Sequence, residues 1–159
     1  MIVGVTGHRP DKLGGWRPGN PVQRKVRAAL HDALVELRPA MLLTGMALGV
    51  DQWAAETCLD LHIPYTAVIP FEGQARPWPP ASQRQYQFLV AHAAERVVVC
   101  EGEFKPWKLQ RRNEWVVDRC ALLLAVWDGS RGGTGNCVAY AESVQREIRR
   151  LSWLDYVIN

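Results

Sequence analysis

The stretch Trp127 to Asn136, WDGSRGGTGN, leaves an apolar run and contains four glycines in ten residues. Each glycine costs about 0.5–1 kcal/mol of folding free energy relative to alanine, so such a density implies backbone that must approach something closely. Gly132 and Gly133 expose main-chain N–H donors, Thr134 adds a hydroxyl, and no acidic residue follows until Glu142. Where such a loop opens a helix it suits a phosphate; the competing reading is a plain turn with Thr134 or Asn136 as helix cap. In TGMALGVD, Gly45 and Gly49 bracket a turn through Met46 that delivers the chain into a helix near Val50. Asp51 there reads either as the helix cap or as a carboxylate for sugar hydroxyls. In TGHRP, Gly7 and His8 lead to Arg9, whose planar fork suits phosphate or carboxylate. Arg9 pairing with Asp51 is the alternative. His8 reads as a general acid or, more simply, as a group bonding its own loop. Arg112 and Asn113 in QRRNEW either point into a cleft or belong to a solvated basic face. Asp128 lies just upstream of the glycines.

These loops need a scaffold that brings them together. Short apolar or β-branched runs at Ile2 to Thr6, Met41 to Thr44, Tyr65 to Ile69, Arg96 to Cys100 and Leu122 to Trp127 alternate with longer amphipathic segments. The helical segments are Val22 to Leu37, Val50 to Leu61, Ser82 to Ala93, Lys108 to Cys120 and Asn136 to Arg150. In the first, Val26, Ala29, Leu30, Ala33, Leu34 and Leu37 share one stripe. Strands apolar on both faces, interleaved with helices, predict an α/β, Rossmann-like fold: a mostly parallel central sheet of five or six strands with helices on both faces. Right-handed crossovers place every strand C-terminus on one edge, where ligands of such sheets bind. The loops singled out, together with the Pro- and Trp-rich PFEGQARPWPP expected to form a semi-rigid lip, all follow strands and therefore share that edge.

A chain of 159 residues, 48% hydrophobic and 22% charged, suits a single domain over 1–159 whose core needs no disulfide or metal. Cys58, Cys100, Cys120 and Cys137 are scattered and expected to be reduced. The four histidines lack metal-ligand spacing, so no metal and no cofactor is expected. No apolar run reaches membrane-span length and the start lacks a basic leader, which predicts a cytoplasmic protein without membrane contact. A net charge of +3 permits an anionic ligand without arguing for nucleic acid. Neither glycine loop has the spacing G-x-x-x-x-G-K-[ST] or G-x-G-x-x-G.

The stretches VTGHRP with KLGG, TGMALGVDQWAAE, IPFEGQ, QRRNEWVVDRC and AVWDGSRGGTGNCVAYAE, in order along nearly the whole chain, resemble the YpsA-like branch of the SLOG superfamily. That superfamily includes the Smf/DprA and Lonely Guy (LOG) proteins. The resemblance implies a Rossmann-like domain in a bacterial cell, of bacterial or phage origin, whose strand-end loops bind a nucleotide or nucleotide-derived molecule as sensor or sequestering module. LOG relatives are phosphoribohydrolases that cleave the N-glycosidic bond of nucleoside monophosphates, and DprA relatives bind single-stranded DNA. Arg112 matches the LOG arginine, Asn113 replaces its lysine, and Gly133 and Thr134 match its Gly-Thr. Asn136 and Cys137 stand where its catalytic glutamates belong, so an enzyme would have to rely on Asp51 or Asp128 with Arg112 fixing the substrate. A homodimer through the helices around Trp53 and Trp115 is the partner such relatives suggest. Single-stranded DNA, stacking on some of the seven tryptophans and drawn by Lys105 to Arg119, is a lesser expectation.

Overall fold

The computed structural model describes residues 1–154 and Tyr156. Six strands, β1 (Ile2–Gly7), β2 (Met41–Thr44), β3 (Tyr65–Ile69), β4 (Glu95–Val98), β5 (Leu122–Val126) and β6 (Glu147–Arg150), form one sheet in the order β4-β3-β2-β1-β5-β6. Every pairing is parallel. The helices are α1 (Pro21–Leu37), α2 (Val50–Leu61), α3 (Pro80–Ala91), α4 (Pro106–Arg119) and α5 (Gly133–Ser143). The fold is therefore α/β and Rossmann-like, with the sheet wholly parallel.

Side chains alternate through the sheet, so each strand feeds two cores. Val3, Val5, Leu42, Tyr65, Ile69, Leu122 and Leu124 pack on the side of α1, α2 and α3, where Val26, Leu30, Leu34, Trp53 and Leu89 meet them. Leu43, Val68 and Leu123 face the other way, against Val116 and Val117 of α4 and Cys137 and Ala141 of α5. The strand order reverses direction between β1 and β5, and this junction opens the crevice at the carboxyl edge.

The last expected helix is corrected at both ends. It starts at Gly133, three residues before Asn136, and it ends at Ser143 rather than Arg150. Gln145 takes φ 58°, which breaks the helix, and Glu147–Arg150 then pairs with β5 as an edge strand. The four cysteines are free, and Cys58, Cys120 and Cys137 are buried. Among the described residues no helix is long and apolar enough to cross a membrane, and no group of His, Cys, Asp or Glu could hold a metal ion.

Candidate functional site

The carboxyl edge carries a cavity of about 1230 Å³ walled by residues that follow β1, β2, β3, β4 and β5, and by α4 and the start of α5. Of the residues singled out by type and spacing, Gly7, His8, Arg9, Asp51, Arg112, Asn113, Gly132, Gly133 and Thr134 belong to the wall. Gly45, Met46, Gly49, Asp128 and Asn136 do not.

At the strand-order junction the β1 and β5 loops are fastened together. The His8 amide donates to the Val126 carbonyl at 3.2 Å, prolonging the β1–β5 ladder. Its imidazole Nε2 lies 2.9 Å from Asp128 Oδ1 and 3.0 Å from the Asp128 amide. A neutral ring nitrogen serves one of these at a time, so the tautomer decides which. The hydroxyl and amide of Ser130, and then His8, hold the Asp128 carboxyl well below the usual carboxylate range. Asp128 is thus an ionised anchor for a buried histidine, and His8 bonds the neighbouring loop rather than its own.

After His8 the chain enters a 3₁₀ turn, Pro10–Lys12, pinned by the fully buried Leu13. The turn sends Lys12 back across the junction, where its Nζ donates to Ser130 Oγ at 2.9 Å and to the Arg131 carbonyl at 3.1 Å. That places an ammonium beside Gly132, the N-cap residue of α5, which has φ 146° and no side-chain cap bond. Neither Thr134 nor Asn136 caps the helix. The first amides of α5 therefore face the cavity flanked by Lys12, and a Cβ built on Gly133 would meet nothing within 4 Å. Arg9 is exposed on the same wall, with no ion pair to Asp51 among the described residues.

The loop after β2 is built differently. Gly45 packs directly under the Arg112 guanidinium, whose Nη1 donates to the Gly45 carbonyl. Gln74 Nε2 donates to the same carbonyl at 3.1 Å, and Gln52 Nε2 donates to the Met46 carbonyl at 3.1 Å. Gly49, at φ 94°, presses against the His8 carbonyl, where a Cβ would come within 2.6 Å. The cap reading of Asp51 is corrected: Gly49 occupies the N-cap position of α2, and Asp51 Oδ2 accepts from the Ala47 amide at 3.2 Å inside the preceding turn. Burial raises the Asp51 carboxyl above its usual range, opposed by the Arg112 guanidinium, the Ala47 amide and Arg9. Burial also pulls Arg112 down from its ordinary value, opposed chiefly by Asp51; an arginine nonetheless stays cationic. Arg112 Nε bonds Asn113 Oδ1 at 3.0 Å, which leaves Nη2 as the nitrogen free of a protein partner among the described bonds.

The remaining wall comes from the loop after β3, which forms the expected lip: Phe71, Gln74 and Trp78 line the cavity. It is braced by Gln83 Nε2, which donates to the Arg76 and Trp78 carbonyls at 3.2 and 2.8 Å. Phe71 meets Phe104 edge-on at 5.7 Å, and Trp78 meets Tyr86 at 5.5 Å. Sequence reasoning selected none of Lys12, Phe71, Gln74 and Phe104. Lys12 was legible as the only lysine in the loop after the first strand, and Gln74 as the one neutral polar side chain in PFEGQARPWPP.

Expectations about other residues meet mixed outcomes. Trp53 is buried in the core with Arg27 over its ring, and Trp115 is half-buried beneath Arg119 at 4.0 Å. Trp78 and Trp153 are also buried, while Trp16 and Trp107 are exposed. Cys137 lies in the core, Asn136 is exposed outside the cavity wall, and Glu142 is exposed.

Residues 3–153 match the sequence profile of the YspA SLOG family (YpsA). The chain belongs to this family. It is 31% identical over 145 residues to the uncharacterized SPbeta prophage-derived protein YoqJ of Bacillus subtilis (strain 168), covering 77% of this chain and 84% of that one. A UPF0398 protein of Bacillus cereus (strain B4264) is 24% identical over 156 residues, covering 92% and 85%. Among solved structures, DNA processing protein A (DprA) from Streptococcus pneumoniae matches with a TM-score of 0.67 at 20% identity, over 96% of this chain and 51% of that one. This SLOG chain thus spans about half the length of that neighbour. The molybdenum cofactor binding protein from Rippkaea orientalis matches with a TM-score of 0.60 at 19% identity, over 94% and 74%. Both likenesses concern the fold.

Proposed function

We propose that the chain, acting as one SLOG domain, binds a nucleotide or nucleotide-derived ligand in the carboxyl-edge cavity as a sensor or sequestering module. The observation that carries this reading is the start of α5: uncapped helix amides opening on the cavity beside the Lys12 ammonium. Such amides and a neighbouring cation attract a phosphate. Arg9 and the free edge of Arg112 extend the positive side of the wall, and Asp51 supplies a polar group for sugar hydroxyls. Phe71, Phe104 and Trp78 give the other side the aromatic surface a base requires. Gly7 is part of the wall, Gly45, Met46 and Gly49 shape it from behind, and Asp128 orients His8.

The test is a thermal shift of the purified chain with nucleoside mono-, di- and triphosphates and ADP-ribose. A ligand at one hundred times its Kd adds about 2.7 kcal/mol of stability. The expected outcome is a saturable rise in Tm that needs the phosphate; no shift with any of these compounds removes the reading.

A hydrolytic reading draws on a specific observation: His8, backed by Asp128, and the buried carboxyl of Asp51 both line the cavity. Asp51, whose carboxyl burial favours in its protonated form, would act as an acid toward a departing base, and His8 steadied by Asp128 would take a proton from water. Incubation with nucleoside monophosphates and chromatography for free base tests it: base released by the wild type and lost in both Asp51→Asn and Asp128→Asn supports an N-glycosidase of LOG type. For single-stranded DNA, Phe104 at the cavity and the exposed Trp107 would provide stacking; affinity that ignores added salt would speak against it.

A further inference from the structure

We propose that Lys108 is a positioning residue for the ligand's base, holding loop 99–105 so that Phe104 stands at the cavity wall to meet a planar ring; this rests on the nucleotide reading above. Lys108 lies in the first turn of α4 and is 5% exposed, the one buried lysine among the described residues. That is an unfavourable place for an ammonium. The N-terminal end of a helix carries partial positive charge, which disfavours a cation, and burial strips the charge of its water. No carboxylate pairs with Lys108 among the described residues. Its Nζ instead donates to the Glu101 and Glu103 carbonyls, each at 2.5 Å.

Two carbonyls so close in sequence reach one ammonium because the chain turns between them. Gly102 makes the turn: its φ is 78°, and a Cβ there would come within 3.3 Å of the Lys108 Nζ. The loop is thus wound round the ammonium, through bonds that a charged donor strengthens. Phe104 follows directly on Glu103. It is 54% exposed yet part of the cavity wall, and its ring meets that of Phe71 edge-on. Lys108 itself is not in the wall, so its influence on a ligand passes through Phe104. One turn further along α4, Arg112 ties down the loop after β2 in the same manner, by its Gly45 carbonyl. An aromatic ring held in place before the ligand arrives loses little freedom on stacking, whereas the same ring on an untethered loop must first be ordered. Lys108 therefore sets how much of the affinity comes from the base, and leaves the phosphate end untouched.

Titration calorimetry of the full chain with AMP, GMP, CMP, UMP and ribose 5-phosphate tests this, the contribution of the base being the affinity ratio of the tightest nucleotide to ribose 5-phosphate. The expected ratio in the wild type is at least about tenfold. Phe104→Ala and Lys108→Met should cut it to the same low level with ribose 5-phosphate binding unchanged, and Lys108→Met added to Phe104→Ala should lower it no further. Gly102→Ala keeps the lysine and disturbs the exposed turn around it; it should lower the ratio in the same direction, and it decides the matter if Lys108→Met does not fold. A wild-type ratio near one, a ratio unmoved by Lys108→Met or by Gly102→Ala, ribose 5-phosphate weakened as much as the nucleotide, or additive effects in the double variant each overturn the role of Lys108 and leave nucleotide binding standing. Absence of binding by every nucleotide overturns both readings.

Discussion

The two glycine loops of this protein come from similar sequence, each running from a strand into a helix, and the structure uses them in opposite ways. Around Gly45 and Gly49 the glycines are there because the protein itself presses in: Arg112 lies on one and the His8 carbonyl on the other. Around Gly132 and Gly133 the protein leaves room, and the helix amides are left without a side-chain cap. Missing side chains mark close packing in the first loop and an approachable backbone in the second. The density of glycine in WDGSRGGTGN thus has two causes, because Gly135 is also packed, with a Cβ there coming within 2.9 Å of the Ser130 carbonyl.

Substitutions can break this contrast. The largest effect is expected from Gly49→Ala, which combines positive φ with a backbone clash; chemical denaturation should show a loss of about 3 kcal/mol. Arg112→Met should cost about 2 kcal/mol in the same assay, since it strips a charged donor from the buried Gly45 carbonyl. Gly133→Ala should leave stability within about 0.5 kcal/mol of wild type, yet weaken a phosphorylated ligand about tenfold by calorimetry. A stability loss at Gly133 as large as that at Gly49 would erase the distinction between the loops. Lys12→Ala, at an exposed side chain, should change stability little and lower nucleotide affinity several-fold, with a shallower dependence on salt.

Asp51 sharpens the contrast through pH. Its folded carboxyl is raised above the ordinary value of 3.8, so the folded state holds its proton longer than the unfolded chain does. The associated stability is complete below that value and is lost as pH rises through the folded value. Asp51→Asn should therefore be more stable than wild type at pH 8, with the gap closing as pH falls toward 4. Equal stability across that range would show that Arg112 and the Ala47 amide fully compensate the burial.

Most of the scaffold was legible because its signals are local. β2, β3 and α2 begin and end where apolar runs and the Gly49 turn placed them. The strand at Glu147–Arg150 was hidden because an edge strand of alternating charge and Ile148 also fits a continuing helix; what decides it is pairing with β5, a long-range effect. The loops of the site were legible as a set, since parallel strands oblige them to share an edge. Individual roles were not. Lys12 reaches the α5 start only because the 3₁₀ turn folds back over β5, and the division of labour between Gly45 and Gly133 depends on a distant guanidinium.

The two outermost strands carry a consequence of their own. β4 ends the sheet with Glu95 and Arg96, the latter tied to Glu72, and β6 ends it with Glu147, Arg149 and Arg150. A foreign strand zipping onto either margin would have to dehydrate those ionic groups. Charged side chains at both margins thus oppose edge-to-edge growth of the sheet.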